Sequence, residues 1–114
     1  MFVTPEYNRS IPAVLKNAID FLYAEWNDKA AGFVSYGADA GGARAIEHLR
    51  AILGELRVAC VRTMVPLSLT HDFQGYTHFT PRETAVAKAD EMLAELVSWG
   101  RAMRAVRGEQ IALA

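Results

Sequence analysis

The amino-acid sequence predicts an α/β domain in which helices cover a parallel sheet, and three observations lead there. Short extended segments alternate with helical stretches as strand, helix, strand, helix, strand, helix, which implies parallel strands joined by right-handed crossovers. The length of 114 residues fits a single domain over 1–114, and a hydrophobic share of 52% is enough to fill one core. Proline or glycine punctuates the joins, at Pro5, Gly41, Gly42 and Pro81.

The first strand, Met1 to Thr4, stops at Pro5, and Glu6 to Ser10 form a polar turn leading into a helix. In that helix Leu15, Ala18, Ile19 and Leu22 repeat at i, i+3, i+4 and i+7, and Pro12 suits a first turn whose amide needs no partner. Val14 and Phe21 add a second apolar strip, so the helix is expected to be well buried. After the loop AEWNDKAA, the segment GFVSYG has the composition of a strand buried on both faces. The second helix carries an inner stripe of Ile46, Leu49, Ile52, Leu53 and Leu56; Arg44, Glu47, His48, Arg50 and Glu55 form its wet side. VACVRTMVPLSL is expected to be a strand bent or ended near Pro66. Thr80, Pro81 and Glu83 read as a capping box with proline at the first helical position. The buried side of this last helix is assigned to Leu93, Leu96, Trp99, Met103 and Val106, Glu95 to its wet face, and Gly108 to its stop.

A net charge of −1, with the 12 basic residues scattered, offers no attraction for nucleic acid or an anionic membrane. No apolar run approaches the ~20 residues that span a bilayer. A single cysteine, Cys60, precludes an intramolecular disulfide and reads as a small strand residue in a reducing, cytoplasmic setting.

Ligands of parallel sheets bind beyond the carboxyl ends of the strands, where two loops qualify. Thr4 to Ile11 combines rigid Pro5, the flat aromatic Tyr7 and several hydrogen-bonding groups, a set able to hold a planar ring and equally able to make an ordinary strand-to-helix turn. Gly37, Gly41 and Gly42 follow the second strand as G-x-x-x-G-G, allowing close backbone approach to a ligand or simply a flexible start to a helix. The pattern is neither G-x-G-x-x-G nor a phosphate loop ending in Gly-Lys-Ser/Thr. In SLTHDFQGYTHFTP, His71, Asp72 and His78 stand among Phe73, Tyr76 and Phe79. A metal site needs three or four converging ligands, so an aromatic loop over a cofactor edge or a subunit contact is the preferred reading, with no metal ligands assigned.

Taken together, VTPEYNRSIPAVLKNAIDFL and GFVSYGADAGGARAIEHLRAIL resemble the NADPH-dependent FMN reductase family, specifically over about residues 2–60. The resemblance implies a flavodoxin-like fold, here with about three strands and three helices. It also implies an oxidoreductase that uses FMN and NADPH or NADH to reduce flavin, quinone or a similar small-molecule acceptor. Pro5, Glu6, Tyr7 and Asn8 are implied along the flavin ring, and Ser35, Gly37, Gly41 and Gly42 near its pyrimidine side. The flavin carries the electron chemistry, so no catalytic acid, base or nucleophile is assigned. In the flavodoxin-like strand order FMN lies at the switch point between first and third strands. The strand at Met1 to Thr4 matches the third, so the resemblance implies an N-terminally truncated chain that lacks the Ser-rich phosphate loop and binds FMN poorly. The alternative is a non-catalytic fragment or interaction module. The first strand carries no charge to block pairing, and a homo-oligomer through this edge, or marginal folding, is expected.

Overall fold

The computed structural model describes residues 1–109. Three strands form a parallel sheet in the order β1-β2-β3: β1 is Phe2–Pro5, β2 Ala30–Gly37 and β3 Ala59–Ser68. The crossovers carry α1 (Ala13–Asp20), a short 3-10 turn (Ala24–Trp26) and α2 (Ala43–Glu55). A two-stranded antiparallel hairpin, β4 (Phe73–Gln74) and β5 (His78–Phe79), precedes α3 (Glu83–Val106). The parallel sheet with flanking helices follows the strand alternation, whereas this hairpin is an addition to it.

Alternation along central β2 builds two cores. Ala31 and Phe33 face α1 and α2, meeting Ile19, Ile46, Leu49 and Leu53. Val34 and Tyr36 face α3, meeting Val65, Ala85, Met92 and Leu96. Gly32 is needed on this second face, because a Cβ there would lie 2.6 Å from the Met92 sulfur. α3 therefore approaches through small residues, and its inward stripe is Ala85, Ala89, Met92 and Leu96. This corrects the assignment made from the largest apolar side chains: Leu93, Trp99 and Val106 are exposed. The α2 stripe holds, with Ile46, Leu49, Leu53 and Leu56 buried.

α1 is less buried than its two apolar strips imply. Only Ile19 is fully enclosed, while Val14 and Phe21 are each 78% exposed, because the helix rests at the side of the sheet and nothing among the described residues covers its outer flank.

β3 runs through Pro66 without ending. Leu69 donates its amide to the Gly37 carbonyl, so by alternation the amide positions of Pro66 and Ser68 face the open edge, where a missing N–H costs no ladder bond. Farther back, Ala31 pairs with Cys60 but Phe33 with Met64, so β3 bulges at 61–63. Arg50 donates to the carbonyls of Val61 and Arg62, and Glu95 accepts from the Thr63 amide and hydroxyl. Glu95 is thus half-buried against β3, and its assignment to a wet face is corrected. Burial raises the Cys60 thiol pKa, which fits a packing role in this strand.

The capping box at Thr80 does not form. The N-cap of α3 is Arg82, whose amide is bound by the Asp72 carboxylate, so Pro81 stands outside the helix. At the other end Gly108 has φ +77°, and the amides of Gly108 and Glu109 reach back to the carbonyls of Ala105 and Arg104. That pair of bonds is a Schellman stop, as the glycine implied.

Candidate functional site

The carboxyl ends of β1, β2 and β3 lie together, since Pro5 is in register with Tyr36 and Gly37 with Ser68. Three loops therefore share one pole of the sheet: 6–10, 38–42 and 69–82.

The first is a tight reversal. Tyr7 and Ser10 exchange backbone bonds of 2.9 and 3.0 Å around Asn8 and Arg9, whose φ angles are +50° and +69°. Two left-handed central residues are what a type I′ turn requires; asparagine tolerates that region, but arginine there costs on the order of 1 kcal/mol. Strain of this kind collects where a loop is held for a purpose. The turn presents Tyr7, 61% exposed, together with exposed Asn8.

Glu6 points the other way. Its carboxylate, with only 7% of the side chain exposed, accepts from the Ala45 amide at 3.1 Å and Arg44 Nε at 2.7 Å, and pairs with the Arg44 guanidinium. The hydrogen bond from Arg44 holds the Glu6 pKa below its ordinary value, outweighing partial burial. A carboxylate on the amides of a helix N-terminus also complements the helix dipole. A second tie joins His48 Nδ1 and Ser10 Oγ at 2.8 Å, which gives that exposed histidine a positioning contact. Glu6 thus anchors the turn to α2 rather than facing the solvent side of the loop.

The glycine loop is closed from within. Buried Ser35 donates its hydroxyl to the Gly41 carbonyl at 2.7 Å. A Cβ on Gly42, φ +86°, would lie 2.7 Å from Ser35 Cβ; one on Gly41, φ +61°, 2.9 Å from Pro66; one on Gly37, 2.9 Å from the Gly42 amide nitrogen. These three glycines are required by the chain's own packing, so Ser35, Gly37, Gly41 and Gly42 shape the loop from beneath. On its outer surface the amides of Asp39 and Ala40 donate to no other group of the described residues. The loop after β2 thus keeps uncommitted backbone donors, and the turn after β1 keeps an exposed aromatic, at the same pole of the sheet.

Beyond β3, Asp72 is fully buried, and both its oxygens are committed. Oδ2 accepts from the Ser68 amide and Arg82 Nη2, and Oδ1 from the Arg82 amide and Nε. The Arg82 hydrogen bonds lower its pKa to about 2 despite burial. His71 and His78 are exposed, whereas Asp72 is spent in tying the start of α3 to the end of β3. The aromatic loop keeps Phe73 half-buried against the α3-side core, its ring 5.2 Å from that of Phe79. Between this segment and the glycine loop lies a recess of about 270 Å³ lined by Asp39, Gly41, Pro66, Ser68, His71 and Arg82. Asp72 and Arg44 each fasten two segments of this pole, and residue type alone does not mark either role because each depends on a partner distant in sequence or on a backbone amide.

A family model described as NADPH-dependent FMN reductase matches residues 1–72. An NAD(P)H-dependent FMN reductase from Schizosaccharomyces pombe is 47% identical over 72 residues, which are 63% of this chain and 36% of that protein. An NAD(P)H:quinone oxidoreductase from Solanum tuberosum is 51% identical over 55 residues, 46% of this chain and 28% of that one. The chain thus spans about a third of the length of the curated relatives it matches. Among solved structures, FerB, a flavoenzyme NAD(P)H:(acceptor) oxidoreductase from Paracoccus denitrificans, superposes with a TM-score of 0.61 at 27% identity, over 85% of this chain and 57% of that one.

Proposed function

From the premise that the chain belongs to the NADPH-dependent FMN reductase family, with a flavodoxin-like fold, we propose that it carries the ring-binding rim of an FMN site. The activity it serves is reduction of flavin, quinone or a similar small acceptor at the expense of NADPH or NADH. The names of the relatives support that chemistry. One observation carries the assignment of the rim: Glu6 bonds Arg44 and the Ala45 amide, so the Tyr7–Ser10 turn and the N-terminus of α2 are a single rigid unit. Pro5, Tyr7 and Asn8 lie along the ring, and Glu6 fixes their height. Ser35, Gly37, Gly41 and Gly42 hold the second loop so that the outer amides of Asp39 and Ala40 meet the pyrimidine oxygens. When bound, FMN supplies hydride acceptance and electron transfer, while the protein orients the ring and excludes water from one face. The setting is cytoplasmic and the working form a homo-oligomer. A second reading, an interaction module without catalysis, draws on the backbone edge that β1 presents among the described residues.

Titration of the 114-residue chain with FMN and with riboflavin, followed by flavin fluorescence, tests the rim. A site that grips only the ring binds both weakly and within about threefold of each other, and Asn8→Ala weakens both alike. An FMN preference of about a hundredfold would reveal a phosphate site and overturn the reading. Failure to bind either would favour the interaction module.

A further inference from the structure

The turn after β1 and the start of α2 are fastened at two points whose spacings match. Glu6, just before the turn, is bound to Arg44 and the Ala45 amide; Ser10, its last residue, meets His48 Nδ1 at 2.8 Å through its hydroxyl. Arg44 and His48 stand four residues apart on one face of α2, about 6 Å along the axis at 1.5 Å per residue. A β-turn brings its first and last Cα atoms within about 7 Å, whereas the same residues extended would span about 10 Å. Both fastenings therefore form together only when the turn is closed. Tyr7, Asn8 and Arg9 are exposed, and among the described residues Ser10 is the one member of the turn whose side chain is hydrogen-bonded. Arg9, at φ +69°, weighs against the closed form by about fivefold or more, a strain that a glycine there would remove.

We propose that His48 is a positioning residue of the ring site, holding the 7–10 turn closed through Ser10 so that Tyr7 and Asn8 stay where the flavin ring meets them. This deepens the ring-binding reading and rests on it. The two fastenings divide the task by exposure. Glu6 is nearly enclosed and sets where the turn begins, while the exposed Ser10–His48 bond closes its far end and can break without disturbing the core. Ile11, buried one residue later, fixes where the chain leaves the loop but does not dictate the φ angles of Asn8 and Arg9. An imidazole nitrogen and a hydroxyl suit each other here, since each donates or accepts and the tautomer of the ring decides which does so. A rim whose competent form is only partly populated loses affinity in proportion to that fraction, which is how a residue that acts through Ser10 governs the site.

Amide hydrogen exchange of the flavin-free 114-residue chain, followed residue by residue by NMR, reads the clasp, and riboflavin titration by fluorescence reads its effect on the site. His48→Ala should lower protection of the Tyr7 and Ser10 amides by about threefold to tenfold, the contribution of one hydrogen bond, while the amides of Leu49 and Leu53 in α2 stay within about 1.5-fold of the parent chain. Riboflavin affinity should fall by at least about threefold in the same variant. Two changes should restore both readings: His48→Asn, which keeps a polar atom at the Nδ1 position, and Arg9→Gly added to His48→Ala, which removes the left-handed strain. Unchanged protection of Tyr7 and Ser10, a loss shared equally by α2, or an unchanged affinity where protection is lost would each overturn the proposal. A parent chain that binds no riboflavin would refute the ring site itself, and exchange, which needs no flavin, would still decide whether His48 holds the turn.

Discussion

Replacing Asp72 by asparagine should cost more than any other isosteric change in the candidate site. Four N–H donors converge on the two Asp72 oxygens, from Ser68, from the Arg82 amide and twice from the Arg82 guanidinium. An asparagine offers one oxygen, so two donors then face an NH2 group, one of them a backbone amide; a stranded buried donor costs about 1–3 kcal/mol. The charge contributes separately. A carboxyl held at about 2 rather than 3.8 corresponds to about 2.4 kcal/mol of preference for the ionised folded state. Since the Arg82 side chain is 49% exposed, screening brings this toward about 1–2 kcal/mol. The sign follows from the lowered folded pKa: the contribution is full above pH 4 and is lost as pH falls through about 2. Asp72→Asn should therefore unfold about 2–4 kcal/mol more easily at pH 7, roughly 8–15 °C in melting temperature for a domain of this size. The gap to the parent chain should narrow between pH 4 and pH 2. Urea and thermal unfolding followed by circular dichroism at pH 7, 4, 3 and 2 measure both effects. A variant within about 0.5 kcal/mol of the parent at pH 7, or a gap that stays constant to pH 2, would refute the reasoning.

Gly42→Ala should destabilise by about 2–4 kcal/mol, because its Cβ would meet Ser35 and Tyr36 at a left-handed residue; Gly54→Ala, where a Cβ has open space, should stabilise by about 0.5 kcal/mol. Chemical denaturation of the two variants checks the contrast. Glu95→Ala should lower the melting temperature by stranding the Thr63 amide at the β3 bulge, whereas Glu91→Ala, one turn earlier and exposed, should not. A matched pair of melting curves decides between them.

The succession of strands and helices was legible because it depends on short-range periodicity. GFVSYG declares a central strand through its own residues, and the α2 stripe through its 3.6-residue repeat. The two loops of the candidate site were legible for the same reason: Pro-Glu-Tyr-Asn and the glycine cluster are local signals at strand ends. Their inner arrangement was not. Glu6 acts on a helix start 38 residues away, and no local pattern marks that pairing. Ser35 entered through the family resemblance, and no local pattern shows that its hydroxyl donates to the Gly41 carbonyl. α3 misled through size, since Gly32 admits a close approach that only alanines and a flexible methionine can exploit. The Thr80 signal failed because Asp72, ten residues before Arg82, fastens the Arg82 amide and guanidinium and the helix starts only after that residue.

The Glu6 bridge makes two loops from different parts of the chain a single heritable unit. Residue 6 can change its charge only if residue 44 changes with it, and the helix start must then find another acceptor for the Ala45 amide. Loop grafts from relatives should therefore transplant as pairs: the turn after β1 or the start of α2 moved alone leaves a carboxylate or a guanidinium without its counterpart, while both moved together carry their own fastening with them.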